Sequence, residues 1–137
     1  MRSEKQFVDA FEQFWRAPSV DALDGILAED VVLRQPLGPT TRGLAAGKQA
    51  FSKIFKAVPD LRAVVDRWAP TEDGVFIEFR LMGTVGGRLV EWPVVDRFVL
   101  RDGMAIERMG YFDPTPLLRA VLTRPMSWGR FLRSRSW

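Results

Sequence analysis

The sequence predicts an α+β domain in which helices pack on one face of a curved antiparallel β-sheet. Helical spacing of apolar residues dominates the chain up to about residue 58, and period-two alternation dominates the stretch that follows. The elements do not alternate as β-α-β units, which argues against a parallel sheet covered on both faces. A length of 137 residues suits one domain with a core and a single pocket.

Three helices are predicted in the first half of the chain. The first spans 3–17, the second begins after Ser19 and ends at 28–30, and the third spans about 43–57. Each carries an apolar stripe on one side. In chain order the stripes are Phe7, Val8, Phe11, Phe14 and Trp15, then Val20, Leu23, Ile26 and Leu27, then Leu44, Phe51, Ile54, Phe55 and Val58.

Strands are predicted before the third helix and throughout the second half of the chain. A short strand over 31–34 would place Gln35 on the same face as Val31 and Leu33, and a loop would continue to Gly43. Residues 61–69 alternate only loosely. Residues 75–81 alternate cleanly, and glycines at 83–87 indicate a hairpin into the next strand.

The stretch from Gly87 to Asp113 predicts two strands joined by a tight turn at 101–103, because Asp-Gly between alternating runs is a strong hairpin signal. Asp96 shares a strand face with Trp92 and other apolar residues, and such a charge is rarely buried without a partner or a function. The hairpin would bring Arg108 near Asp96 and put Phe112 on the face of Arg108. Asp96 is therefore either half of a structural ion pair or a functional acid.

Two absent residue types limit the chemistry. Without cysteine there is no disulfide, thiolate nucleophile or zinc–thiolate site, and without histidine there is no imidazole base or ligand. Acid–base chemistry must then come from Asp, Glu, Lys, Tyr or an Arg-assisted water, and no metal site is predicted. No run of 18 apolar residues and no signal peptide is present, so the expected location is cytoplasmic.

The basic charge of the chain is concentrated at its C-terminal end. The formal net charge is +3, yet residues 114–137 hold five arginines and no acid, and residues 1–113 hold 15 bases against 17 acids. A nucleic-acid-binding body would carry a basic face, so no nucleic-acid partner is expected. The tail also alternates arginine with aromatic residues. It could pack over the sheet or a dimer mate, contact an anionic membrane, or bind an acidic partner.

Four short segments resemble the nuclear-transport-factor-2-like superfamily, which includes ketosteroid isomerases, SnoaL-like polyketide cyclases and limonene-epoxide hydrolases. They are AEDVVLRQPLGPTTRG (28–43), VPDL (58–61), VVDRFVLRDG (94–103) and ERMGYFD (107–113). The resemblance implies a cone in which three N-terminal helices pack on a strongly curved, antiparallel or mixed sheet around an apolar cavity. The cone domain would span 1–115, and 116–137 would form a basic-aromatic extension rather than a second domain.

The resemblance also implies a site, a homodimer formed through the sheet, and no cofactor. Eight residues would surround the cavity: Phe11, Trp15, Gln35, Phe55, Trp92, Asp96, Arg108 and Phe112. Strand parity independently favours the inward orientation of Gln35, Trp92, Asp96, Arg108 and Phe112. Aromatic walls with a few convergent polar groups are typical of small-molecule sites, although the same aromatics could simply fill the cone as core.

The chain departs from two branches of the superfamily. The isomerase base corresponds to Gln35, which cannot accept a proton at neutral pH, and the isomerase oxyanion tyrosine corresponds to Phe11. The inward aspartate of the hydrolases' last strand corresponds to Gly110. The chain is therefore expected to be neither a standard ketosteroid isomerase nor a limonene-epoxide hydrolase. The SnoaL-like cyclases are the branch that the sequence contradicts least. The resemblance implies that they work through a carboxylate on the late strands, and Asp96 fits that role.

Two hypotheses follow. In the first, the protein is a cofactor-free enzyme of SnoaL-like type acting on an apolar, carbonyl-containing molecule. Asp96 is the acid or base, Arg108 stabilises oxyanion charge and Gln35 orients the substrate. In the second, the protein is a binding or accessory domain, Asp96–Arg108 is a structural pair and the cavity only holds a ligand. Bonding of Asp96 to Arg108 on all sides would favour binding, and an open carboxylate edge would favour chemistry.

Overall fold

A computed structural model describes residues 2–122 of the chain. Two helices and a short 3₁₀ helix accompany the first strands, four strands follow, and a further helix closes the described part. The elements are α1 (Glu4–Arg16), the 3₁₀ helix (Asp21–Gly25), β1 (Leu27–Arg34), β2 (Thr41–Arg42), α2 (Leu44–Ala57), β3 (Arg62–Pro70), β4 (Gly74–Val85), β5 (Arg88–Arg101), β6 (Met104–Phe112) and α3 (Thr115–Leu122).

The six strands form one open, mixed sheet in the order β2-β1-β6-β5-β4-β3. Only β1 and β6 pair in parallel, and the other neighbours are antiparallel. The apolar stripes of α1 and α2 face the sheet, because both helices carry charged residues on their other sides. The α+β prediction is confirmed, including the helix-covered sheet.

The second predicted helix is shorter than the sequence indicated. The Ser19 hydroxyl accepts a hydrogen bond from the backbone N–H of Ala22, but the helix is a single 3₁₀ segment that ends at Gly25. Ile26 accepts a backbone hydrogen bond from Ala105, and Leu27 already pairs with that residue. Pairing with β6 therefore begins β1 four residues earlier than the predicted strand over 31–34.

The hairpin of β5 and β6 forms where the sequence predicted it. Asp102 and Gly103 both have positive φ angles, 54° and 77°, between the paired residues Arg101 and Met104. Two residues with positive φ are characteristic of the type I′ turn, whose twist matches the flanking strands. This turn, together with a register shift of one residue between Val99 and Leu100, puts Asp96 opposite Gly110.

Aromatic side chains fill one end of the space between α1 and the sheet. The ring of Phe98 lies 5.0 Å from that of Phe7 and 5.5 Å from that of Phe11, and Phe11 also contacts Phe79 at 5.1 Å. These edge-on contacts leave no room for a ligand at this end. Any cavity must lie towards the other end, nearer α2.

The extension begins with a short helix, α3. Its residues Ala120 and Val121 are buried against the core, and it packs on β5 and β4. The arginine-aromatic part of the tail, including Trp128, Phe131 and Trp137, lies outside the described residues.

Candidate functional site

A cavity of about 200 Å³ lies between α2 and the inner face of the sheet. Its walls are mostly apolar because α2 turns its stripe inward and the inner positions of β4 and β5 alternate with outward polar residues. The side chains that form these walls include Phe51, Ile54, Phe79, Leu81, Trp92 and Val94. Leu117 of α3 also contributes to the lining, so the extension begins as part of the wall.

Six of the eight predicted site residues line this cavity: Trp15, Gln35, Trp92, Asp96, Arg108 and Phe112. Phe11 and Phe55 do not, and this part of the prediction is corrected. Phe11 lies between Phe79 and Phe98 at the filled end. The Phe55 ring packs edge-on against Trp15 and beside Phe51, which both line the cavity, but it is not part of the lining itself.

Asp96 is buried at the cavity wall without a hydrogen-bond partner. Only 3% of the residue is exposed, and its Oδ1 atom has no donor within the described chain. Burial raises the pKa of Asp96 to about 6, and the nearby charge of Arg108 opposes that rise. A carboxyl group with such a pKa can both release and accept a proton near neutral pH.

Arg108 does not form the predicted ion pair with Asp96. It stands opposite Phe98 rather than opposite Asp96, and no nitrogen of Arg108 lies within 4 Å of the carboxylate. Its guanidinium instead donates a hydrogen bond to Gln35 Oε1 and lies 5.9 Å from the centre of the Phe51 ring. The Nε atom is buried and has no partner in the described structure.

Gln35 holds Arg108 rather than standing free in the cavity. Its Nε2 atom donates a 2.8 Å hydrogen bond to the carbonyl of Pro39, and its Oε1 atom accepts from Arg108. Both ends of the amide are therefore engaged by the protein. The predicted role of orienting a substrate is better described as orienting the guanidinium.

Buried polar atoms without partners are concentrated at the cavity. Within residues 2–122 four such side-chain atoms occur, and they are Trp15 Nε1, Thr41 Oγ1, Asp96 Oδ1 and Arg108 Nε. All four belong to residues that line the cavity. Because buried polar groups in folded proteins are nearly always hydrogen-bonded, this distribution indicates that the cavity is built to receive polar atoms of a ligand or ordered water.

Sequence reasoning missed several lining residues. Phe51 and Ile54 had been placed on the apolar side of a helix, but periodicity alone does not separate cavity walls from core. Thr41 carried no signal, because it lies in a predicted loop. It enters the site because β2 pairs with β1 and sets Thr41 beside Leu33.

The described chain offers no evident place for a metal ion. Among residues 2–122, no three acidic side chains gather into a possible metal-binding group. In the same part of the chain, no helix is long and apolar enough to cross a bilayer.

A mixed sheet curved beneath helices, with a cavity between the two layers, defines the cone-shaped class of NTF2-like folds. An NTF2-like protein from Burkholderia pseudomallei superposes with a TM-score of 0.77 at 20% identity, over 88% of this chain and 98% of that chain. The chain belongs to the SnoaL-like family, since the model described as "SnoaL-like domain" matches residues 6–108. The resemblance inferred from the sequence is confirmed.

Two further solved structures are similar to the chain. TerC, crystallised with polyporic acid, has a TM-score of 0.78 at 18% identity and covers 87% of this chain and 98% of its own. A candidate SnoaL-like polyketide cyclase from a Jannaschia species has a TM-score of 0.71 at 23% identity, over 90% and 95% of the two chains. No curated protein matches the sequence.

Proposed function

We propose that the protein is a cofactor-free enzyme of the isomerase or cyclase type. It binds an apolar, carbonyl-containing small molecule in the cavity and uses Asp96 as general acid and base. The observation that carries this proposal is the unpartnered carboxylate: Asp96 lines the cavity, its Oδ1 is buried, and no protein donor bonds that oxygen. A carboxylate serving only as a structural partner would have its oxygens satisfied.

The proposed chemistry is a proton transfer next to a carbonyl. The ionised Asp96 accepts a proton from the carbon beside the carbonyl, and the electron pair of that bond forms an enolate. Arg108, oriented by Gln35, stabilises the charge that develops on the enolate oxygen. Asp96 then returns the proton, either to another carbon in an isomerisation or to the new alkoxide when the enolate carbon attacks a second carbonyl.

The names of two similar structures support this substrate class. TerC was crystallised with polyporic acid, and the Jannaschia protein is a candidate polyketide cyclase. At sequence identities of 18% and 23%, these similarities establish the fold alone. The proposal of a substrate class therefore rests mainly on the cavity and its polar atoms.

The experiment measures hydrogen–deuterium exchange of the methylene protons beside the carbonyl of tetralone, a bicyclic ketone, by NMR in D₂O. General acid–base catalysis contributes about 10²–10⁴-fold, so catalysed exchange is detectable with wild-type protein. Asp96→Asn is expected to abolish the exchange. Asp9→Asn, which changes an exposed acid on the outer side of α1, serves as the matched control.

The alternative function is ligand binding without catalysis. Saturable broadening of the tetralone signals without exchange would establish this alternative and remove the acid–base role from Asp96. Absence of both binding and exchange would count against the proposed substrate class itself.

We also propose that the protein forms a homodimer through the outer face of the sheet. Val64, Phe76 and Tyr111 are large side chains exposed on that face. Sedimentation equilibrium is expected to give a dimer for the wild type and a monomer for Phe76→Lys. A monomeric wild type would overturn this proposal.

A further inference from the structure

The proposed mechanism leaves the indole N–H of Trp15 unused. Trp15 is only 6% exposed, it lines the cavity, and its Nε1 atom has no acceptor in the described structure. A buried N–H without an acceptor loses its hydrogen bonds to water and gains nothing in return. A phenylalanine would cover apolar surface at this position without that cost.

The direction of this N–H is fixed by the packing of the ring. Trp15 stacks on Phe79 at 6.4 Å with an interplanar angle of 29°, and it meets Phe14 edge-on at 5.1 Å. Phe55 supports it from α2 at 6.5 Å. A donor held from several sides is preorganised, so a ligand that uses it does not have to order the side chain.

Trp15 and Arg108 occupy two levels of the cavity along α2. Arg108 lies over Phe51, and Trp15 packs against Phe55, which is one helical turn further along the same helix. One turn corresponds to a rise of about 5.4 Å. The two donors therefore lie at different levels along α2, which suits a ligand with two separate oxygen acceptors.

We propose that Trp15 donates a hydrogen bond to the ligand and that the ligand is a ring compound with two oxygen acceptors at separate positions of the ring. One oxygen accepts from Arg108 and the other accepts from Trp15 Nε1. Quinones and ring diketones have this arrangement. The inference rests on the proposed function, because it concerns a second contact with the molecule that reacts at Asp96.

The experiment compares two bicyclic probes by calorimetry: tetralone, with one ring oxygen, and naphthoquinone, with oxygens on opposite sides of the ring. Wild-type protein is expected to bind naphthoquinone about tenfold more tightly than tetralone, which is the effect of one additional hydrogen bond. Trp15→Phe is expected to weaken naphthoquinone binding by about tenfold and tetralone binding by less than about twofold. Trp15→Phe also reduces the ring area that contacts the ligand, and this loss weakens the binding of both probes. Comparing the two probes therefore isolates the effect of the lost N–H.

A second measurement uses the unmodified protein and so does not depend on the folding of a variant. The indole N–H resonance of Trp15, assigned by ¹⁵N NMR, is expected to move downfield on titration with naphthoquinone and to stay in place with tetralone. Equal affinities for the two probes, or an unmoved resonance with naphthoquinone bound, would overturn the role of Trp15. Either result, together with catalysed exchange of tetralone, would leave the proposed function intact, whereas no binding of either probe would count against both.

Discussion

Gly110 stands directly opposite Asp96 across the β5–β6 ladder, and a Cβ atom added at Gly110 would lie 3.1 Å from Asp96 Oδ1. Neighbouring residues on the same face of an antiparallel pair are normally in side-chain contact. The missing side chain at position 110 therefore leaves the room that Asp96 Oδ1 needs at the cavity wall.

Gly110→Ala is expected to fold and to slow any proton exchange at Asp96. The added methyl group is closer to Oδ1 than an ordinary contact, so the carboxylate must shift by a few tenths of an ångström. It also replaces accessible space by apolar surface, which raises the pKa of Asp96 further. The measurement is the tetralone exchange rate, with circular dichroism as the test of folding.

Gly25→Ala provides the matched control for this substitution. No atom lies within 4 Å of the Cβ position at Gly25, and this glycine is remote from the cavity lining. Equal exchange rates for the two alanine variants would contradict the role assigned to the space at Gly110.

Asp96→Asn is expected to stabilise the protein at neutral pH and to leave its stability unchanged in acid. Burial raises the pKa of Asp96 from 3.8 to about 6, so the folded state binds the proton more tightly than the unfolded state. Wild-type stability is therefore highest below pH 3.8 and falls as the pH rises to about 6. About two pKa units correspond to roughly 3 kcal/mol of unfolding free energy.

The measurement is denaturant unfolding of both proteins across this pH range. The unfolding free energy of Asp96→Asn should increasingly exceed that of the wild type between pH 3.8 and about 6, and the difference should stay constant at higher pH. Parallel stability curves would mean that the carboxyl group is solvated and ionises normally.

Arg108→Gln is expected to move the titration of Asp96 to higher pH. The positive charge of Arg108 lowers the pKa of Asp96 against the effect of burial, so its removal leaves burial unopposed. In wild-type protein the exchange rate should rise with pH through about 6, because the ionised carboxylate is the base. The same profile for the variant should have its midpoint at higher pH and a lower plateau, since the enolate oxygen loses its cation.

Arg97→Gln is the matched control for Arg108→Gln. Arg97 is next to Asp96 in sequence but projects to the other face, where it contacts Glu107 and Tyr111. Its replacement should leave the midpoint of the exchange profile in place. A shift of equal size in both variants would show that total charge, rather than position in the cavity, sets the pKa of Asp96.

Strand parity predicted the orientation of the polar residues better than their partners. Alternation on β5 and β6 was enough to turn Asp96 and Arg108 inward, because a side chain's face depends only on its position along the strand. Their separation depends on register, and register puts Gly110, not Arg108, opposite Asp96. The engagement of Arg108 by Gln35 arises from parallel pairing between β1 and β6, which a sequence pattern does not specify.

Long-range packing also decided where the helices contribute to the site. The stripe of α1 was predicted from spacing, yet Trp15 reaches the cavity while Phe11, one turn earlier, fills the core. The difference depends on where the rings of Phe79 and Phe98 lie. Similarly, the helix predicted to contain Leu27 yields to pairing with β6, because tertiary hydrogen bonds outweigh weak local helix preference.

The last prediction concerns Gln35, which occupies the position of the general base in the isomerases that the sequence resembles. From sequence alone, the double variant Gln35→Asp with Phe11→Tyr would restore both isomerase groups. The structure removes the second change from this design, because residue 11 packs against Phe79 and Phe98 and is not part of the cavity lining. Gln35→Asp alone is therefore the informative variant.

Gln35→Asp is expected to add a second base and so to raise the rate at which a β,γ-unsaturated bicyclic ketone is isomerised, followed as the rise in ultraviolet absorbance of the conjugated enone. The new carboxylate lies near Arg108, which holds it ionised and therefore able to accept a proton. A general base contributes about 10²–10⁴-fold, so even a shortened side chain in an imperfect position gives a measurable rate. Gln35→Asn, which matches the aspartate in length and carries no charge, is the control and should show only the isomerisation rate that Asp96 supplies. Equal rates for the aspartate and asparagine variants would show that a carboxylate at residue 35 does not reach the bound ketone.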